Sequence, residues 1–198
     1  MSKVGAIILA AGMSKRMGKP KLLLPLKGAP LIYYPISLAL RNQLIPVGVI
    51  AGQYMNEIQK EMNELTNITY IYNPQFESGM ASSLKLGIQA VDKQVDAVMI
   101  FLGDQPFVPD MVIEALLKEY ELNKENGVHI IRPCYDGELG HPILFDKRLF
   151  NEFSEITGDE GGRSIIKANK DRLKIIDFPN RQWGLDIDTP EEYEMLWE

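Results

Sequence analysis

Five short apolar runs set the strongest limit on the fold of this 198-residue chain: residues 4–9, 47–51, 68–72, 97–102 and 128–132. Most are continuous rather than alternating, which is what a parallel strand covered on both faces requires. Between them lie stretches with apolar residues at helical spacing, over 30–42, 54–65, 82–91 and 109–123. In 54–65, for instance, Met55, Ile58, Met62 and Leu65 form one stripe. Alternation of buried strands with amphipathic helices predicts an α/β, Rossmann-like fold with a doubly wound, mostly parallel sheet. Beyond residue 132 the pattern loosens: glycine turns surround 135–140, a short strand follows at 142–145, and helices are expected at 146–153 and 162–169. A strand at 173–178 and a helix from Pro190 complete the reading, with no linker or repeat to divide residues 1–198 into two domains.

Composition removes several classes of function. A hydrophobic share of 45% without long runs of like charge excludes disorder. The single Cys134 excludes an internal disulfide and a cysteine-rich zinc site, and two histidines leave carboxylates as the expected ligands of any metal. A net charge of −6 offers no general basic footprint for duplex nucleic acid. Locally, however, Lys15, Arg16, Lys19, Lys21 and Lys27 cluster without an acidic residue among them, which suits a small polyanion. The apolar stretch 4–11 is too short to cross a membrane and runs into a glycine-and-lysine loop, not a cleavage site, so a soluble cytoplasmic protein is expected.

In open α/β sheets ligands sit beyond the carboxyl ends of the strands. The first strand leads into Ala10-Ala11-Gly12-Met13-Ser14-Lys15-Arg16, whose small residues let backbone N–H groups approach phosphate oxygens. It is neither a Walker loop nor Gly-x-Gly-x-x-Gly, and a basic surface loop is the plainer alternative. Leu22-Leu23-Leu24 would pin Lys21 to the scaffold, and that favours a working cation. The fourth strand ends in Gly103-Asp104-Gln105-Pro106, which makes Asp104 either a turn cap before the helix at Pro109 or a Mg²⁺ ligand. In Asp186-Ile187-Asp188-Thr189-Pro190, Thr189 and Glu192 make a capping box. If 185–188 is extended, Asp186 and Asp188 share one face, opposite Leu185 and Ile187. Asn73-Pro74 ends the third strand, and Gly79-Met80-Ala81-Ser82-Ser83 opens a helix at which Ser82 or Ser83 is either the N-cap or a hydroxyl for a nucleobase.

In this order the pieces resemble the MobA-like nucleotidyltransferases, a branch of the glycosyltransferase-A-like nucleotide-binding fold. The Gly140-His141-Pro142 and Gly158-Asp159-x-Gly161-Gly162-Arg163 elements resemble most the molybdenum cofactor cytidylyltransferases and the related purine-catabolism proteins of xanthine dehydrogenase maturation. The resemblance implies that Ala10, Ala11, Gly12, Ser14, Asn73, Gly79 and Ser83 contact a nucleotide, with Leu-Ala-Ala-Gly pointing to CTP. It makes Arg16 and Lys21 the phosphate-binding cations, Asp104 the main Mg²⁺ ligand, and Asp188 or Asp186 the second carboxylate. Ser14 departs from the pattern, since a second glycine often stands there. The implied reaction is attack of an acceptor phosphate on the α-phosphorus of CTP, or of another nucleoside triphosphate, with in-line loss of pyrophosphate. A molybdopterin-type acceptor would lie against His141 and Arg163, with Tyr135 and Trp183 available to its ring, and a molybdoenzyme would receive the product. For His141 and Arg163 the plainer alternatives are a loop residue and a solvated helix-start cation. Competing readings are transfer to a sugar phosphate or phosphocholine, and a nucleotide-binding protein that delivers cofactor without catalysis. A dinucleotide-dependent oxidoreductase lacks its glycine fingerprint here.

Overall fold

The computed structural model of the chain describes residues 1–14 and 17–197. The elements run β1 (Val4–Ala10), β2 (Pro25–Leu26), β3 (Ala29–Pro30), α1 (Tyr33–Arg41), β4 (Val47–Ala51), α2 (Met55–Glu61), β5 (Ile68–Tyr72), α3 (Met80–Val91), β6 (Ala97–Leu102) and α4 (Asp110–Asn123). They continue with β7 (Ile130–Tyr135), β8 (Glu138–Leu139), β9 (Ile143–Asp146), α5 (Arg163–Ala168), β10 (Leu173–Phe178) and α6 (Pro190–Glu194).

The main sheet has the order β10-β7-β9-β6-β1-β4-β5, and β8 pairs with β7. β6, β1, β4 and β5 are mutually parallel, as are β7 and β10; β9 alone along this path runs antiparallel to its neighbours β6 and β7. The fold class is therefore α/β with a mostly parallel, mixed sheet. Both faces are covered, which explains the continuous apolar runs. Ala6, Ile8 and Ala10 of β1 pack into one core with Ile36 of α1, Ile58 of α2 and Val112 and Leu116 of α4. Ile7 points the other way, into a second core with Leu84 and Ile88 of α3 and Ile165 of α5. A third, smaller core joins Met17, Leu24, Leu26, Leu31 and Ile187.

Four local expectations are corrected. Helix α1 starts at Tyr33 and not at Pro30, because Ala29–Pro30 pairs with Pro25–Leu26 in a hairpin through Lys27 and Gly28. The fifth run forms a strand three residues further on than its apolar limit suggested, because β10 pairs with it through to Tyr135. Over Lys147–Ser154 the chain is a 3-10 helix, entered through the Asp146 carboxylate, which accepts a hydrogen bond from the Arg148 amide at 2.8 Å. Residues 185–188 form no strand, yet Ile187 is fully buried while Asp186 and Asp188 face the other side; Leu185, placed by the spacing on the face of Ile187, is exposed. Among the described residues no helix is long and apolar enough to cross a membrane.

Candidate active site

Two adjoining clefts lie beyond the carboxyl ends of β1 and β6. The first, of about 400 Å³, is lined by Ala11, Gly12, Ser14, Lys21, Gly79 and Ser83 among others. The second, of about 580 Å³, is walled by β7, the turn to β9 and the loop before α5, with Arg132, Tyr135, His141 and Arg163. Asp104, Asp159 and Asp188 line both.

Lys21 stands at this seam. It opens a short 3-10 turn whose Leu22 is buried in the main core and whose neighbour Leu24 is buried in the small one. The backbone is held as well: Ile32 donates to the Leu22 carbonyl at 3.1 Å and Leu31 to that of Leu24 at 3.0 Å. So anchored, the ammonium donates to Asp104 Oδ2 at 2.6 Å and to Asp188 Oδ1 at 2.7 Å, across 83 and 167 positions of sequence. Burial opposes the lysine's charge, but the Asp104 and Asp188 carboxylates outweigh it and hold its pKa above the ordinary value. Asp104 is thus no helix cap; α4 begins after Pro109 without side-chain help. The Asp104 carbonyl accepts from the Ile187 amide at 3.2 Å, which fixes the two acidic segments against each other. Glu192 accepts from the amides of both Asp188 and Thr189, and Thr189 caps α6 in the expected capping box.

Asp186 lies beside this pair on the second cleft only. Buried Gln105 donates to its Oδ1 at 2.7 Å and to the Gly184 carbonyl at 3.1 Å. Desolvation and the negative charge of Asp104 push the Asp186 carboxyl up to about 6. Two carboxylates therefore grip one ammonium, and a third lies beside them. Among the described residues no group of three or more His, Cys, Asp or Glu side chains is arranged to hold a metal alone. The donor set that remains, Asp104 and Asp188 aimed at one cation, suits a hard ion completed by phosphate oxygens and water, which is how Mg²⁺ binds.

Ser14 adopts the left-handed backbone that a glycine would take, at φ 50°, and its Oγ accepts from the Lys21 amide at 3.2 Å. The substitution for glycine thus ties the loop to the lysine. Arg16, expected as the second cation, lies outside the described residues, as does Lys15. Ala10 is buried in the core and Asn73 is fully buried, so neither side chain lines the first cleft. Asn73 instead acts from behind, donating to Ser82 Oγ at 2.8 Å and Ser83 Oγ at 2.9 Å while accepting from the Gln75 amide at 2.9 Å. Neither serine caps α3. Gly79 does, at φ 108°, and the first amides of the helix go to Asp159 Oδ1 at 3.1 Å and the Gly158 carbonyl at 2.9 Å. A side chain on Gly79 would lie 2.5 Å from that carbonyl, so the sequence needs glycine there.

In the second cleft, His141 is half-buried; desolvation and the charges of Arg132 and Arg163 drive its pKa down to about 3, so the ring is neutral. Tyr135 is buried, its hydroxyl donating to the His141 carbonyl at 2.8 Å and its ring packed between Gly140 and Gly184. Trp183 does not line the cleft; it follows Tyr135 and Phe178 in an aromatic row with centroids 5.9 and 6.0 Å apart. Sequence reasoning passed over Gln105, Asp159 and Arg132 as site residues. The first two stand inside motifs it had quoted, whereas Arg132 carries no local signal.

The model of the MobA-like NTP transferase domain family matches residues 6–173. The molybdenum cofactor cytidylyltransferase of Escherichia coli is 29% identical over 98% of this chain and 95% of its own length. The purine catabolism protein PucB of Bacillus subtilis is 28% identical over 96% and 94%. The nicotine blue oxidoreductase of Paenarthrobacter nicotinovorans is 27% identical over 98% and 96%, so near-equal likeness spans proteins named for different chemistry. Among solved structures, a homolog of Mycobacterium tuberculosis Rv0371c from Mycobacterium sp. strain JC1 superposes with a TM-score of 0.83 at 28% identity, covering 98% of this chain and 94% of that one. Rv0371c itself, solved in complex with manganese, shares the fold with a TM-score of 0.74 at 22% identity over 98% and 97%.

Proposed function

This chain belongs to the MobA-like NTP transferase domain family and is a nucleotidyltransferase, and from that premise we propose that it transfers CMP from CTP to the phosphate of a molybdopterin-type acceptor, releasing pyrophosphate. The observation that carries the reading is the Lys21 ammonium between Asp104 and Asp188, on the seam of two clefts. One cleft takes the nucleotide and the other the acceptor, so the reacting phosphates meet at the charged cluster.

In this reading Ala11, Gly12 and Ser14 receive the triphosphate through backbone N–H groups, Ser83 presents its hydroxyl toward the base, and Lys21, with Arg16, neutralises charge on the α-phosphoryl and the departing pyrophosphate. Asp104 and Asp188 would hold the metal, Mg²⁺ in this proposal, which when bound neutralises and aligns the α-phosphate. Gln105 holds Asp186 on the acceptor side, and His141 and Arg163 contact the acceptor. No protein nucleophile is required, because the acceptor supplies the attacking oxygen. The enzyme is expected to work in the cytoplasm.

Incubation of the protein with molybdopterin, Mg²⁺ and each of CTP, GTP, ATP and UTP, followed by the mass of the product and pyrophosphate release, tests this. A cytidylylated product that Asp104→Ala fails to make is the expected result. Tight CTP binding without pyrophosphate release on molybdopterin, a sugar phosphate or phosphocholine would point instead to a delivery protein.

A further inference from the structure

The second cleft is lined by two groups of charges. Asp186 feels Asp104, Asp188 and Lys21 at the seam, whereas Arg132 and Arg163 act on His141. Among the described residues the other cations of the two clefts are balanced: Arg181 meets Glu138 at 2.6 Å, and Lys21 meets its two aspartates. Among the described residues Arg132 and Arg163 form no ion pair. Asp159 and Glu160 share the cleft but are engaged elsewhere, accepting from the Met80 amide at 3.1 Å and the Thr157 amide at 3.2 Å.

Arg132 is also fixed in place. It rises half-buried from β7, its Nε donating to the Gly140 carbonyl at 3.0 Å and its Nη2 to that of Leu139 at 3.3 Å. Two carbonyls hold one edge of the guanidinium, and Nη1 remains for a ligand. Burial and the neighbouring Arg163 keep the Arg132 pKa below the ordinary value, and the same two arginines help to keep His141 neutral. A half-buried guanidinium in the field of a second one is costly unless an anion completes the arrangement.

We propose that Arg132 is a specificity-determining residue of the second cleft, binding with Arg163 a second anionic group of the acceptor, distinct from the phosphate that is nucleotidylated. This rests on the reading of the second cleft as the acceptor site. The substrate class is thereby narrowed to phosphate monoesters that carry another anionic group at their far end. A cationic head group, as in phosphocholine, is repelled, and a neutral sugar phosphate gains nothing from the arginines.

Calorimetric titration of the full chain with glucose 1,6-bisphosphate, glucose 1-phosphate and phosphocholine reads this without any turnover. The bisphosphate should bind about tenfold more tightly than the monophosphate, as one charge-assisted contact warrants, and phosphocholine most weakly. Arg132→Gln should remove that preference while glucose 1-phosphate affinity moves less than about twofold, and Arg132→Lys should restore part of it. Should Arg132→Gln fold poorly by circular dichroism, Arg132→Lys carries the comparison, its bisphosphate preference falling below the wild-type tenfold while glucose 1-phosphate affinity holds. Equal affinity of the wild-type protein for the two sugar phosphates, no binding of either, or a uniform loss in Arg132→Gln overturns the proposal. A parallel CTP titration separates the two ideas: failure to bind CTP strikes the nucleotidyltransfer reading, whereas loss of the bisphosphate preference alone strikes only Arg132.

Discussion

Replacing Lys21 by Met keeps most of the stem's bulk and removes the ammonium, and so isolates the charge at the seam. Two charge-assisted hydrogen bonds at 2.6 and 2.7 Å vanish, and Asp104 and Asp188 are left facing each other and Asp186. Such a bond contributes about 1.5–3 kcal/mol in general. Here the three side chains retain 12%, 20% and 29% exposure, so screening brings the pair together to roughly 1.5–3 kcal/mol. For a chain of this size, at roughly 2–4 °C per kcal/mol, that is a fall in melting temperature of roughly 3–12 °C. The sign of its pH dependence follows from the lysine's raised pKa: its stabilisation is complete below the unfolded value of 10.5 and is lost only as pH rises through the higher folded one. The difference between wild type and variant should therefore be flat from about pH 7 to 9 and shrink only as pH rises above 10.5. Turnover should fall further than stability, by about 10²–10³-fold, the usual loss when a group facing developing phosphate charge is removed. Melting curves across pH and pyrophosphate release with CTP measure both. A variant that melts within 1 °C of wild type, by the scale of roughly 2–4 °C per kcal/mol, and turns over at the wild-type rate would refute the reasoning.

Two further outcomes are expected. Gly184→Ala drives a methyl group into the buried Tyr135 ring, and overpacking of this kind costs about 1–3 kcal/mol; urea denaturation should report that loss, and KM should rise for the acceptor but not for CTP. Because the His141 pKa is lowered to about 3, the unfolded chain binds a proton near pH 6.5 that the folded chain refuses, so acidification destabilises. Between pH 6.5 and 4.5 wild type should lose about 2 kcal/mol more than His141→Asn, and parallel pH curves for the two proteins would count against the neutral ring.

How much of this could be read from the sequence depended on whether the cause was local. The unbroken run of β1 registers burial on two faces, and Leu22 and Leu24 flank Lys21 with the anchoring that their side chains do provide. Asp186 and Asp188 were legible as a pair because two-residue periodicity needs only an extended backbone, even though no partner strand is present. The hairpin of β2 and β3 was hidden in a helical pattern, since two-residue strands leave almost no periodicity. Asn73 and Ala10 sit behind the cleft for reasons of depth that a linear motif does not encode. Arg132 becomes conspicuous only when the chain folds Leu139 and Gly140 back over it.

The small core of Leu24, Leu26, Leu31 and Ile187 fastens the opening fifth of the polypeptide to its closing segment. During ribosomal synthesis the lysine thus emerges long before its second aspartate, and the nascent sheet can form while its chemistry stays silent. A chain cut short after β10 would keep all ten described strands yet lack the clasp, giving a folded but mute product.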